Sequence, residues 1–393
     1  MRVGTEVSVY QLSGLEGGAG RFPASTWLTP LRWRLLRPAP QPRLSLRSVV
    51  GPELYDAIGA VPEDARAATP PEHFLNYTTY EARPFLVAEG RDLLMTRHIK
   101  ALAAPGLGLI DELNVGGAAH MADGLLLRDL EKHGDSWWAP DESIERVSGF
   151  SIPFCHYGVA AFGHFVLDAL LQVFLFRREL ANGDARLVHW PFEYEWMAPV
   201  LGACGVPGKS RRELTKPAAL MERMGLSSAL AAHGVYFPCS LSVEFIRWLR
   251  EMFDAPPTTG ERRLYLRRSA SFGRTVRNAA DLETLVARHG YEVVSPEELS
   301  FREQVQLIAA SGSLISIWGS GLTLAPLLGG ARHVFELLPA STTDTWFVRQ
   351  AIVHGLDYDP LVIPSDGEGQ LEIDLEAMDR RLASTASRLG WAR

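Results

Sequence analysis

His164, Asp168 and Gln172 recur every four residues inside the apolar stretch GHFVLDALLQVF, Gly163–Phe174. On a helix that spacing stacks three polar side chains in one row. Phe165, Leu167, Leu170, Leu171, Phe174 and Leu175 cover most of the remaining surface. Burying a charge is costly unless it is paired or used, so the row faces a cleft or a hydrogen-bonded seam between domains. In a cleft, a His164–Asp168 pair can hold one imidazole tautomer and serve as a general base, or Asp168 itself can take the proton of an attacking hydroxyl. At a seam the same row is a structural network, since ion-pair networks imitate functional sites. His156 and Tyr157 lie just upstream and, with Gln172, would line the acceptor side of such a cleft.

Two further stretches suit an anion. In LISIWGSGLTLAPLL an apolar strand runs into Trp318-Gly319-Ser320-Gly321 and then a helix start. Glycines let the backbone approach a ligand, and the open amides of a helix N-terminus favour phosphate oxygens. The turn has neither the full dinucleotide fingerprint nor the Gly-Lys-Ser/Thr of a P-loop, and a tight strand-to-helix turn needs glycine on its own account. Glu336 ends the next strand, either as an acceptor for ribose hydroxyls or as a solvated strand-end charge. In RRSASFGRTVRN, residues Arg267, Arg268, Arg274, Arg277 and Asn278 gather after another strand. Forked guanidinium donors match diphosphate oxygens, although a solvated basic loop has the same composition. Ligands of open α/β sheets bind at the carboxyl ends of the strands. Two anion-friendly loops on neighbouring strand–helix units therefore point to a nucleotide diphosphate.

The remaining histidines show no metal-ligand spacing and no Asp-x-Asp ends a strand, so neither a metal nor a cofactor is called for. Ser151, Ser269 and Ser313 lie outside any G-x-S-x-G elbow, which sets a hydrolase triad aside. SWWAP and WPFEYEWM are aromatic clusters that can stack on a sugar or a base, or pack against the protein. A net charge of -7 gives no basic footprint for nucleic acid. Three distant cysteines, Cys155, Cys204 and Cys239, suit a reducing compartment. The first residues lack the basic start and apolar run of a signal peptide. Tyr157–Phe176 approaches the ~20 residues of a membrane span but holds a carboxylate at its middle. The chain reads as cytoplasmic, with at most a peripheral contact with the inner membrane, and no motif encodes its oligomeric state.

The elements that must position these residues fall into two sets. A chain of 393 residues with 47% apolar and 22% charged content reads as a globular enzyme of two domains. Residues 1–90, broken by RPAPQPR and AATPPEHF, read as an irregular arm. Residues 91–254 read as a first, Rossmann-like acceptor domain in which helix and strand signals alternate from about Ile110 to Leu249, with strands at Leu187–Trp190 and Val235–Pro238 and helices at Met197–Ala203 and Val243–Phe253. DAPPTTGERR is a linker signal. From 261 to 370 the alternation is clearer: strands in LYLRR, YEVVS, LISIW and HVFELL, and helices between them. Asn278 is placed to cap one helix, and Ser300 with Glu303 forms a capping box for another. Such alternation predicts a parallel sheet covered on both faces. Residues 371–393 supply a last helix, expected to pack back on the first domain.

FGHFVLDAL, followed at a distance by the whole run from LYLRRSASFGRTVRN through PEELSFREQ and WGSG to FELLP, resembles glycosyltransferase family 61. That family includes bacterial capsular polysaccharide proteins. The resemblance covers about Gly149–Pro360 and is densest from Leu264 to Pro339. It implies an α/β, GT-B-like fold with two Rossmann-like domains facing across a cleft. It also implies an inverting, metal-independent transfer from a nucleotide-sugar, with UDP expected, to a carbohydrate hydroxyl. By that likeness Arg268, Arg274 and Asn278 sit near the diphosphate, Trp318, Gly319, Ser320 and Gly321 form the donor turn, and Glu336 meets the ribose. Asp168 or His164 is then the base. The family places His before the glycine of the turn, where this chain has Trp318. Competing readings are a binding subunit of polysaccharide assembly without catalysis, in which Trp318 marks a lost donor contact, and a pyruvyl transferase of similar architecture.

Overall fold

The computed structural model describes residues 5–7, 32–35, 43–57, 61, 79–97, 102–104, 108–109, 113, 131–133, 136–139, 141–154, 158–257, 260, 262–268, 276–342, 344–364 and 370–391. The chain divides into two compact units, Met1–Glu53 with Arg83–Cys239, and Leu54–Ala82 with Ser240–Arg393.

The first unit is built on a mixed sheet. Its strands are β1 (Arg43–Val50), β2 (Phe85–Thr96), β3 (Leu102–Ala104), β4 (Gly108–Leu109), β5 (Ile144–Pro153), β6 (Arg186–His189), β7 (Arg211–Glu213) and β8 (Ala218–Ser227). Their order is β7-β6-β5-β8-β2-β3-β4, with β1 also paired to β2. The β7-β6-β5-β8 half is parallel, while β8-β2, β1-β2, β2-β3 and β3-β4 are antiparallel. A wholly Rossmann-like first domain is therefore corrected to a parallel half extended by antiparallel strands. The reason is local: residues 85–109 supply extended segments too close in sequence for helical crossovers, and such neighbours pair antiparallel. The irregular arm is corrected as well, because β1 and the Glu53–Asp56 and Thr79–Ala82 strands lie within it.

The second unit carries β9 (Arg262–Leu266), β10 (Glu292–Val294), β11 (Ser311–Ile317), β12 (His333–Pro339) and β13 (Asp357–Ile363). All pairs are parallel, in the order β10-β9-β11-β12-β13. This is a doubly wound order in which the chain runs from β9 to β10 and then crosses back to β11, so the switch point lies between β9 and β11. Every residue of β11 and β12 is buried, as expected of strands covered on both faces. One face packs Tyr265, Ile315, Ile317, Phe335 and Leu337 against Leu282, Leu285 and Val286 of the Ala279–Arg288 helix.

The terminal helix Leu375–Arg388 joins that same core through Met378 and Leu382, and ties Arg381 to Asp359 and Arg388 to Asp357 on β13. It thus packs within the second unit, where its apolar stripe finds a partner. The boundary also falls earlier than the linker signal. The Ser240–Met252 helix buries Phe245, Ile246 and Leu249, Arg250 donates to the Leu327 carbonyl at 2.6 Å, and Phe253 meets Phe301 edge-on at 5.0 Å. These contacts hold it to the second unit.

Candidate active site

The segment bearing the polar row changes pitch as it passes the site. Phe162–His164 is α-helical, Phe165–Ala169 is a π turn, and Leu170–Leu175 is α-helical again. The Leu170 amide reaches back five residues to the Phe165 carbonyl. Such π turns are rare and recur at functional sites. Asp168 sits inside this turn and is 0% exposed.

Asp168 Oδ2 lies 2.8 Å from His164 Nδ1. Its Oδ1 accepts the Val235 amide at 3.1 Å, and the Gly234 amide bonds it too. These amides belong to the first turn of the short helix His233–Tyr236, where an N-cap side chain would otherwise satisfy them. Asp168 does that service across the fold. This explains the correction at Val235–Pro238, read as a strand: Ala232 takes a left-handed φ of 60° and the chain coils into a helix against Asp168. A Cβ on Gly234 would overlap the Leu167 carbonyl and come within 2.8 Å of Asp168 Oδ1, so glycine is required for this approach. Burial pushes the Asp168 carboxyl above its ordinary range, against the opposing pull of His164 and the two amides.

His164 retains 12% side-chain exposure. Its ring is bracketed by Gly158, where a Cβ would meet it at 2.5 Å, and by Tyr236, whose ring centroid is 5.9 Å away. An ionised Asp168 can only accept, so the imidazole must donate through Nδ1, which leaves the lone pair on Nε2. Sequence reading found the His–Asp pair but missed Gly158, Gly234, Val235 and Tyr236. The one available signal was the His233-Gly234 pair interrupting an otherwise apolar run.

The row is not continuous in function. Gln172 is fully buried, donates to the Gly225 carbonyl at 2.8 Å and accepts from Ser227 Oγ, both on β8. It ties helix to sheet and does not face an acceptor. His156 and Tyr157 lie outside the described residues.

In the second unit the two anion-friendly loops leave neighbouring strands at the switch point. Leu266 pairs with Ser316, so Arg267 and Arg268 leave β9 beside the point where Trp318 leaves β11. Gly319 adopts φ 143°, ψ -169°, a region only glycine enters at ease. A Cβ on Gly321 would stand 2.8 Å from Ser316 Oγ. Ser320 is exposed at the rim, and Ser320–Leu327 forms a 3-10 helix containing Pro326. Arg268 is half-buried, and burial lowers the pKa of its guanidinium. Trp318 packs near Trp346, with centroids 5.8 Å apart.

Other donor-side assignments are corrected. Arg267 donates to Ser295 Oγ at 2.6 Å and pairs with Glu298 at 3.7 Å. Asn278 does not cap the Ala279–Arg288 helix; its amide binds both the carbonyl and the N–H of Ile373, at 2.8 and 3.0 Å. Glu336 is 0% exposed and takes a hydrogen bond from the Tyr358 hydroxyl, and burial pushes its pKa up to about 8. A neutral acid sealed beneath the sheet face does not meet a ribose. Arg274 lies outside the described residues. The Ser300–Glu303 capping box is present as expected.

Among the described residues no group of three His, Cys, Asp or Glu side chains is arranged to hold a metal, and no helix is long and apolar enough to cross a membrane. No curated protein matches the chain. The model of the family Glycosyltransferase 61 matches residues 162–328, which begin two residues before His164 and end just past the Gly-Ser-Gly helix. From the His–Asp pair of the first unit to the glycine turn of the second, residues 162–328 are thus similar to glycosyltransferase family 61.

Proposed function

We propose that the protein is an inverting, metal-independent glycosyltransferase of GT-B type that moves a sugar from a UDP-sugar to a carbohydrate hydroxyl during capsule-type polysaccharide assembly in a bacterial cytoplasm. The observation that carries this reading is the buried Asp168 carboxylate holding His164 at 2.8 Å inside the family-matched region. His164 Nε2 takes the acceptor proton as the hydroxyl oxygen attacks the anomeric carbon from the face opposite the nucleotide. The bond from that carbon to the diphosphate oxygen breaks, and its electron pair leaves with UDP. Half-buried Arg268 and the Gly319–Gly321 turn are the groups available to neutralise the departing charge, work that a preorganised positive site performs without reorganising.

Thermal shift with UDP, other nucleotides and phosphoenolpyruvate tests the reading, followed by consumption of a panel of UDP-sugars with and without EDTA. UDP is expected to raise Tm by roughly 2–4 °C at saturating concentration, Arg268→Gln to remove that rise, and EDTA to leave turnover unchanged. A response to phosphoenolpyruvate instead of UDP would make the protein a pyruvyl transferase. Trp318, packed near Trp346 where the family places an imidazole, favours a second reading, a nucleotide-binding subunit without catalysis. Stabilisation by UDP with no UDP-sugar consumed would select it.

A further inference from the structure

The segment Trp190-Pro-Phe-Glu-Tyr-Glu-Trp196 has no part in the chemistry just described, yet it is built in two layers. Its inner rings are anchored: Phe192 stacks on His189 at 4.1 Å and 10°, and Trp190 Nε1 donates to the Lys216 carbonyl at 2.8 Å. Its outer rings are not sunk into the protein. Tyr194 is 49% exposed, Trp196 is half-buried, and their rings lie 15° from parallel with centroids 6.2 Å apart.

Trp196 is fixed by its edge contacts. It meets buried Phe165 at 4.6 Å and 74°, and Phe162 at 5.8 Å. Phe162 and Phe165 share a face of the segment that also carries His164 one residue before Phe165, so the outer rings pack on the same element as the imidazole.

We infer that Tyr194 and Trp196 form a platform on which a sugar ring of the acceptor rests, packed on the element that carries His164. The inference rests on the transferase reading and specifies its acceptor side. A pyranose presents an apolar face of C–H groups, which the electron-rich faces of Tyr and Trp attract, and a rim of hydroxyls. Glu193 and Glu195 flank Tyr194, both exposed, and their carboxylates accept from such hydroxyls. The same carboxylates repel a nucleotide phosphate, and Trp190–Val200 contains no Lys or Arg. A neutral or cationic glycan therefore fits this surface, and a nucleotide with its phosphates does not.

Saturation-transfer NMR on the full chain tests it, with methyl β-D-glucopyranoside, methyl β-D-xylopyranoside and methyl N-acetyl-β-D-glucosaminide as probes. Transfer to the ring C–H protons of at least one probe is expected, with affinity weakened about tenfold in Tyr194→Ala and Trp196→Phe, the loss of one aromatic contact. Tyr194 is exposed, so its variant should keep the wild-type melting temperature, which separates lost contact from lost fold. No transfer to any probe, or equal transfer in both variants, overturns the platform. UDP binding is read separately by thermal shift. UDP binding without a variant-sensitive sugar signal removes the platform alone. A variant-sensitive sugar signal without UDP binding keeps the platform and removes the transferase reading.

Discussion

Asp168 has no exposed surface, so in the proposed reaction it acts on an acceptor only through His164. Asp168→Asn separates its two duties. The Asn carbonyl oxygen still accepts the Gly234 and Val235 amides, but its NH2 group faces an imidazole nitrogen that must then accept, and the tautomer reverses. Turnover is expected to fall by about 10³-fold, as when a base loses its orienting partner, while the UDP thermal shift stays at the wild-type value. Unchanged turnover would remove the dyad from the mechanism. Residue type made this pair legible, because His and Asp at helical spacing have few other uses in an apolar run. Gln172 and Asn278 show the limit of that inference. Sequence states how many hydrogen bonds an amide can make, but Gln172 finds its partners 53 and 55 residues away and Asn278 finds Ile373 after 95.

At the scale of elements, the site depends on a π turn and a one-turn helix meeting through glycine. Gly234→Ala forces a methyl group onto the Leu167 carbonyl, and a shift of either element breaks the amide bonds to Asp168. The expected loss is about 2–4 kcal/mol in urea unfolding, together with most of the activity. Gly183→Ala is the control: its φ of 79° strains an alanine by about 1 kcal/mol, but open space surrounds it and turnover should persist. Equal losses in both variants would show that the Gly234 contact has no special place. The parallel sheet of the second unit was readable because each strand is a short apolar run closed by turn and cap residues. The π turn was not, since an added residue per turn leaves the hydrophobic pattern of Phe165–Leu175 almost unchanged. Nor was the Arg43–Val50 strand, whose alternation in RLSLRSVV is short and lies beside proline-rich sequence.

Over the whole molecule, buried titratable groups in the second unit set opposing limits on stability. Burial lowers the pKa of His333 and of His354 to about 3 and raises that of Glu336 to about 8. The histidines are neutral when folded, so their contribution is complete above the ordinary pKa of 6.5 and is lost as pH falls from there toward 3. Glu336 is protonated when folded, so its contribution is complete below 4.5 and is lost as pH rises toward 8. Each group changes stability by about 1.4 kcal/mol per pH unit within its window. Two histidines outweigh one carboxyl below pH 6.5, and above it only Glu336 titrates. Urea midpoints for the second unit should therefore peak near pH 6.5, and Glu336→Gln should flatten the alkaline side; a maximum that stays put in that variant would contradict the assignment. The division of the chain carries a different consequence. Leu54–Ala82 belong with Ser240–Arg393, yet the first unit's Arg83–Cys239 is synthesised between them. On the ribosome those early residues must wait through more than 150 codons for the rest of their unit, although closing so long a loop adds little more entropy than closing a short one. A gene cut before Ser240 would encode the parallel sheet without the Tyr80 ring that lies beneath the Arg349 guanidinium, so the two units are interdependent in biogenesis.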